Sequence, residues 1–139
     1  MRQIREQYVQ SGKVRFGYQH LPFLGPGSQW SALASECAAE QGKFWEYHDY
    51  LLANLVSEDR VAFDKNNLKK FAIDLGLGQT AFAECLESER YASTVEEDKA
   101  TARSSGITGT PSFLINGQLL VGAQPFEAFQ QIIEQELAQ

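Results

Sequence analysis

The sequence predicts an α/β fold in which a large all-helical segment separates two sheet-forming parts. Apolar and polar residues alternate over 13–19, which predicts a strand. Much later in the chain, two short apolar runs flank Asn116-Gly117, the dipeptide most typical of a tight β-hairpin. Neither part is long enough to be stable alone, so we expect both in one sheet. The helices of 28–102 then form a cap or subdomain.

The N-terminal part combines a helix, the strand and a loop. A helix is predicted over 1–10, because Ile4 and Tyr8 recur at helical spacing and Gly12 follows as a stop signal. The strand KVRFGYQ comes next. The segment LPFLGPG, residues 21–27, holds two prolines and two glycines and is predicted to be a loop.

Five helices are predicted in the inserted segment, each with an apolar face. Ser28 is expected to cap the first, and Asn66 or Asn67 the third. The polar stretch over 56–66 is predicted to be a loop. The residues expected to face inward are, helix by helix, Trp30, Leu33, Ala34, Cys37 and Ala38; Phe44, Trp45, His48, Leu51, Leu52 and Leu55; Leu68, Phe71, Ala72 and Leu75; Phe82, Cys85 and Leu86; and Tyr91, Val95 and Ala102.

The C-terminal part is a hairpin followed by a helix. SFLI and QLLVG after Pro111 are the two predicted strands. PFEAFQQIIEQEL, with Pro125 in its first turn, has the period of an amphipathic helix.

Composition excludes several functional classes. With 139 residues, 43% of them hydrophobic, the chain has the size of one globular unit. Its net charge of −6 would repel nucleic acid, and no RNP-like motif offsets that charge. The charged N-terminus has no apolar h-region, so no signal peptide is expected, and no apolar run is long enough to span a membrane. Without a P-loop, a G-x-G-x-x-G motif or metal-ligand spacings, no cofactor and no metal are expected.

Four segments together resemble the DsbA-type thiol–disulfide oxidoreductases. They are GKVRFGYQHLPF, ASECAAEQGKFWEYHDYLL, LKKFAIDLGL with FAECLES, and GITGTPSFLINGQLLVGAQPFEAFQQII, the last being the most specific. The resemblance implies a thioredoxin-like fold with an all-helical insertion. The thioredoxin-like part is then 1–27 with 107–139, and the insertion is 28–106.

The resemblance also implies a role for the loop Gly109, Thr110 and Pro111. In the family the proline is cis, and its loop pairs with the peptide being oxidised or reduced. Strand-like backbone pairing tolerates many side chains, which suits cysteine-containing protein substrates. The hydroxyl of Thr110 would lie near the reacting sulfur and tune thiolate stability. From the residues alone, a trans proline at a tight strand entry remains the alternative.

One departure from the family pattern concerns the reactive dithiol. The family's C-x-x-C starts the first helix after a central strand, whereas residues 1–8 resemble the later turns of that helix. The sequence is thus expected to be N-terminally truncated, with an incomplete sheet and no dithiol activity alone, because exchange requires an attacking thiolate. The sheet would be repaired by pairing of 13–18 with 112–115, or by strand exchange in a homodimer. The alternative function is a non-catalytic module that binds proteins through the Pro111 surface.

Cys37 and Cys85 allow three interpretations. The resemblance implies that they form a structural disulfide between insertion helices. It also implies an extracytoplasmic location (periplasmic, secreted or membrane-anchored), where such a bond persists. A redox partner protein, membrane-bound in some cases, is expected as well. Two buried free thiols rank second, and a catalytic pair ranks third.

Two histidines and two apolar loop residues are weaker candidates. His20 has no carboxylate or cysteine at a telling spacing, and His48 is expected to be half-buried beside aromatic residues. Phe23 and Leu24 are candidates for an exposed apolar rim.

Overall fold

The computed structural model describes residues 1–55 and 62–139, which form two compact units. The first unit is Met1–Gln19 with Ala102–Gln139, and the second is His20–Thr101. Of the loop predicted over 56–66, residues 56–61 lie outside the described residues, and 65 and 66 belong to a helix.

The first unit packs two helices against one face of a hairpin. Its elements are α1 (Arg2–Ile4, continued by a π-helical turn, Arg5–Val9), β1 (Ser112–Ile115), β2 (Gln118–Val121) and α7 (Phe126–Leu137). Its buried core is Ile4, Tyr8, Phe129 and Ile133, with Val14, Phe113, Ile115, Leu120 and Phe126 packed against it. The hairpin thus buries one face and leaves the other, with Leu114, Leu119 and Val121, largely exposed.

The predicted hairpin is confirmed, with β1 and β2 antiparallel in the register Phe113↔Leu120. Asn116 and Gly117 have φ of 47° and 89°. These left-handed values are those of a two-residue turn whose twist matches the flanking strands.

The strand predicted over 13–19 is wrong. Residues 14–20 have no regular secondary structure, and the described residues form a single sheet of two strands, β1 and β2. The predicted pairing of 13–18 with 112–115 is therefore wrong as well. The alternation of apolar and polar residues indicates which side chains face a core, and Val14 does pack against the core of the first unit. A strand also requires a hydrogen-bonded neighbour, which alternation does not supply.

The second unit is helical. Its elements are α2 (Pro26–Ala39), α3 (Phe44–Leu55), α4 (Lys65–Asp74), α5 (Gln79–Ser88) and most of α6 (Ala92–Ser104). Helix α2 is central and contacts α3, α4 and α5. The buried core is Ala32, Leu33, Ala34, Cys37, Ala38, Tyr47, Leu68, Phe71, Ala72, Leu77, Phe82, Cys85, Leu86 and Val95.

Two of these helices begin earlier than their predicted caps. Helix α2 starts at Pro26 rather than after Ser28, because a proline at the first helical position lacks only an N–H that the helix would not use. Helix α4 is capped by Asp64 rather than by Asn66 or Asn67, and the Asp64 carboxylate accepts a 2.9 Å hydrogen bond from the backbone N–H of Asn67.

The inward face predicted for α3 is confirmed for Leu51, which packs against the core, but it is wrong for other residues. Tyr47 is the fully buried residue, and its hydroxyl donates a 2.8 Å hydrogen bond to the carbonyl of Leu68. Trp45, Leu52 and Leu55 are instead 39%, 49% and 49% exposed. Apolar and aromatic residues occur on most sides of this helix. The side that satisfies a buried hydroxyl is the one that enters the core.

Candidate functional site

The loop that precedes β1 is held at both ends and open to solvent. The Thr110–Pro111 peptide bond is cis, and both residues are exposed. Ser112 Oγ donates a 2.7 Å hydrogen bond to the carbonyl of Gly109, and the N–H of Gly122 donates one of 2.9 Å to the carbonyl of Pro111. The backbone is therefore fixed by the hairpin while its outer surface stays accessible.

The space around Gly109 is also open. A Cβ placed on this residue would meet no heavy atom within 4 Å beyond its chain neighbours. A fixed, exposed backbone segment at the start of a strand is able to pair with an extended peptide.

Cys37 and Cys85 lie within the second unit and form a disulfide, with an Sγ–Sγ distance of 2.00 Å. The bond joins α2 to α5, and each residue is only 1% exposed. Since these are both of the cysteines in the sequence, the chain in this state has no free thiol. A thiolate attacks a disulfide sulfur only where it has access to it. The burial of this bond therefore fits a structural role better than a catalytic one.

His20 has carboxylate partners that the sequence analysis did not find. Its Nε2 lies 2.7 Å from Oε1 of Glu36 on α2, and its backbone N–H donates a 2.8 Å hydrogen bond to the carboxylate of Asp98 on α6. The residue is 4% exposed, and its ring centroid lies 6.1 Å from that of Phe44. Glu36 is 16 residues away, which is neither a helical nor a strand spacing, so only the tertiary fold brings the pair together.

His48 belongs to an aromatic group at the start of α3. The Phe44 ring meets the Trp45 ring edge-on, with centroids 5.0 Å apart, and Trp45 meets His48 in the same way at 5.6 Å. Nδ1 of His48 lies 3.1 Å from Oδ1 of Asp49. Edge-on aromatic contacts of this kind hold each ring in one orientation.

Phe23 and Leu24, the candidates for an exposed apolar rim, are 55% and 79% exposed. They lie in the loop before α2.

The perturbed tyrosines act as hydrogen-bond donors. Burial raises the pKa of Tyr47 well above its usual value. A hydrogen bond to a carboxylate raises the pKa of three others, in the pairs Tyr8–Glu134 at 2.6 Å, Tyr50–Asp74 at 2.7 Å and Tyr91–Glu40 at 2.7 Å. All four stay protonated at neutral pH, so they stabilise structure rather than supply a nucleophile.

Neither a metal-binding cluster nor a helix able to cross a membrane occurs in residues 1–55 and 62–139. That part of the chain contains no cluster of three or more side chains suited to a metal ion. None of its helices combines the length and the hydropathy needed to cross a membrane.

The sequence model of the thioredoxin family matches residues 1–135. The chain is 39% identical over 127 residues to Na(+)/H(+) antiporter NhaA 3 of Salinispora tropica, a match that covers 90% of this chain but 19% of that protein. It is 26% identical over 137 residues to disulfide bond formation protein D of Bacillus subtilis, covering 96% of this chain and 62% of that protein.

Two solved structures share the fold over nearly all of the chain. Oxidised BdbD from Bacillus subtilis superposes with a TM-score of 0.89 at 25% identity, covering 100% of this chain and 77% of that one. The thiol-disulfide exchange protein α-DsbA2 from Wolbachia pipientis gives a TM-score of 0.79 at 18% identity, covering 94% of this chain and 70% of that one. The thioredoxin-like fold of the DsbA type, expected from the sequence, is confirmed.

Proposed function

We propose, because the chain belongs to the thioredoxin family, that it is the substrate-binding and helical part of a DsbA-like thiol–disulfide oxidoreductase. The reaction is the formation or exchange of disulfides in cysteine-containing proteins, in concert with a redox partner protein. The observation that carries the proposal is the loop of Gly109, Thr110 and Pro111, which is fixed by the hairpin and exposed on its outer side.

In this proposal the loop holds an extended substrate segment by backbone hydrogen bonds. Such pairing needs no particular side chain, so one loop serves many unfolded substrates. The open space at Gly109 admits the close approach of a second backbone. Thr110 is exposed, and in this proposal its hydroxyl would donate a hydrogen bond to a thiolate and so favour it as attacking or leaving group.

The reactive dithiol is proposed to come from residues outside this sequence. Exchange begins when a thiolate attacks one sulfur of a disulfide, forms a mixed disulfide and expels the other sulfur as a thiolate. Cys37 and Cys85 are joined to each other and buried, so they are poorly suited to this step. Residues 1–139 alone are then expected to be inactive in such exchange.

A second candidate is a non-catalytic thioredoxin-like module that binds protein through the Pro111 surface. It is favoured by the matches to parts of Na(+)/H(+) antiporters, one of which has a higher identity, 39%, than the 26% of disulfide bond formation protein D. In this candidate the module contacts a larger partner without exchanging electrons with it.

An extracytoplasmic location and self-association complete the proposal. A buried disulfide persists most readily in an oxidising compartment, which supports the location. A homodimer formed by strand exchange would give the hairpin further strands to pair with. Static light scattering over a range of concentrations tests this point, and a strict monomer at the highest concentration would exclude the dimer.

The discriminating experiment begins with the genomic reading frame upstream of the codon for Met1. An in-frame strand followed by C-x-x-C supports the enzyme, and its absence leaves the binding module. The longer polypeptide is then assayed for peptide oxidation and insulin reduction. Thr110→Val should slow exchange with the peptide substrate several-fold, whereas Thr80→Val, an exposed threonine of α5, should not.

A further inference from the structure

The turn of the hairpin contains the one asparagine of the sequence that glycine follows. Asn116 and Gly117 are both exposed, and a Cβ placed on Gly117 would meet no heavy atom within 4 Å. In such a pair no side chain shields the glycine nitrogen from the carboxamide before it, and glycine reaches backbone conformations that other residues avoid. The dipeptide that makes the turn is therefore also chemically labile.

The reaction open to this pair is deamidation. The backbone nitrogen of Gly117 attacks Cγ of Asn116 and gives up its proton, while Nδ2 of Asn116 takes up a proton and leaves as ammonia. The product is a succinimide ring that joins the two residues. Water then opens the ring at either of its carbonyls and leaves aspartate or isoaspartate at position 116. The net change is the uptake of water and the release of ammonia, with no oxidation or reduction.

In the folded hairpin the carboxamide of Asn116 is tied to helix α7. Its Nδ2 donates a 3.0 Å hydrogen bond to Oε2 of Glu136. The other oxygen of Glu136 accepts hydrogen bonds from Nε2 of Gln118 at 2.7 Å and from Nε2 of Gln139 at 3.3 Å. A carboxamide bound in this way is less free to turn toward the nitrogen of Gly117. The nearby negative charge also opposes loss of the proton from that nitrogen.

We propose that Asn116 is a deamidation site that Glu136 restrains in the folded protein, and that its conversion loosens the hairpin from α7. Conversion replaces a hydrogen-bond donor by a carboxylate that faces the carboxylate of Glu136, and like charges placed opposite each other are destabilising. Isoaspartate also lengthens the backbone within a two-residue turn, whose twist has to match that of the strands. Neither effect depends on the proposed exchange activity. Because water is the only co-reactant, the modified form accumulates with the age of the protein.

Two asparagines of α4 provide an internal comparison. The nitrogen that would attack Asn66 belongs to Asn67, and it donates a 2.9 Å hydrogen bond to Oδ1 of Asp64. The nitrogen that would attack Asn67 belongs to Leu68, and it donates a 3.0 Å hydrogen bond to the carbonyl of Asp64. In both cases a helical backbone engages the attacking nitrogen, and the next residue carries a side chain. Deamidation is therefore expected at Asn116 rather than in α4.

The first test follows the modification in the whole chain. Protein is kept at mildly alkaline pH and physiological temperature, and proteolytic peptides are analysed by chromatography and mass spectrometry, which separate the aspartate and isoaspartate forms. We expect conversion at Asn116 and not at Asn66 or Asn67. The same protein kept unfolded in urea should convert faster at Asn116. Glu136→Ala should speed conversion several-fold in the folded protein, whereas Glu127→Ala, which changes an exposed glutamate of the same helix, should not.

The second test measures the consequence for the hairpin. Asn116→Asp imitates one product, and aspartate tolerates the left-handed backbone of the turn much as asparagine does. Amide exchange in β1 and β2 should become about two- to fivefold faster in this variant. Asn116→Gly, which keeps the turn and adds no charge, is the matched control and should leave exchange nearly unchanged. In a Glu136→Gln background, Asn116→Asp should also have little effect, because the facing charge is gone.

Three results would each overturn the proposal. The first is conversion at Asn116 that is no faster than conversion at Asn66 and Asn67. The second is an equal rate at Asn116 in the unchanged protein and in Glu136→Ala, with circular dichroism showing that both are folded. Should Glu136→Ala not fold, equal rates in the folded and the urea-unfolded protein contradict the restraint instead. The third is an equal effect of Asn116→Asp on amide exchange with and without the charge of Glu136.

Discussion

Reducing the Cys37–Cys85 disulfide should lower the free energy of unfolding of the second unit by about 4 kcal/mol. The bond joins residues 48 apart in sequence, and the chain-entropy relation for a loop of that size gives about 14 cal/mol/K, or about 4 kcal/mol at 25 °C. The physical reason is that the closed loop restricts the unfolded chain, whereas the folded helices lie in place with or without the bond.

Urea unfolding followed by tryptophan fluorescence measures this difference. Both tryptophans, Trp30 and Trp45, belong to the second unit, so the signal reports on the unit that contains the disulfide. Oxidised protein is compared with protein unfolded in dithiothreitol. The reduced form should also have a steeper urea dependence, because its unfolded chain exposes more surface.

The matched control is Cys37→Ala with Cys85→Ala, whose stability should not depend on dithiothreitol. A difference below about 1 kcal/mol between oxidised and reduced protein, with equal urea dependence, would refute the reasoning. It would mean that the unfolded chain is already so restricted that the bond removes little of its freedom.

Three further predictions concern single side chains. Tyr47→Phe should cost about 0.5–1.5 kcal/mol in urea unfolding, because it removes a buried hydrogen bond from the hydroxyl to the carbonyl of Leu68. Since the folded state raises the pKa of Tyr47, the contribution of its hydroxyl to the free energy of unfolding is complete below about pH 10 and is lost as the pH rises further. The stability of the variant should therefore fall less steeply above pH 10 than that of the unchanged protein, and an unchanged slope would contradict this. His20→Ala should lower the free energy of unfolding by about 1–3 kcal/mol, because it removes a buried ring and its hydrogen bond. Glu36→Gln should lower it less, because glutamine keeps an acceptor. Thermal unfolding measures both, and equal losses would count against the pair. Gly117→Ala should lower the stability of the first unit by about 1–2 kcal/mol, because a φ of 89° is unfavourable for any residue with a Cβ. Amide exchange in β1 and β2 measures this loss. Asn116→Gly is the control and should leave the stability nearly unchanged.

Local chemistry decided which elements could be predicted from the sequence. The hairpin was predictable because Asn116 and Gly117 themselves tolerate the left-handed backbone that its turn requires. The structure of residues 13–19 was not predictable in this way, because the formation of a strand depends on a hydrogen-bonded neighbour elsewhere in the chain.

The same distinction applies to the candidate sites. The loop around Pro111 could be proposed from the sequence because its residues are contiguous. The pairing of His20 with Glu36 was missed because its members meet only after α2 has packed. Part of the exposed side of α3 was predicted to be buried, since apolar and aromatic residues occur on most sides of this helix and hydrophobicity alone does not distinguish them.

The disulfide also makes the chain between its cysteines a covalent ring that contains α3 and α4. A protease that cuts once between Cys37 and Cys85 opens the backbone but does not release a fragment, because the two pieces remain joined through sulfur. Such nicked protein would migrate as one band on a non-reducing gel and as two on a reducing gel. Within this ring, the cleavage of one peptide bond therefore does not separate any part of the polypeptide from the rest.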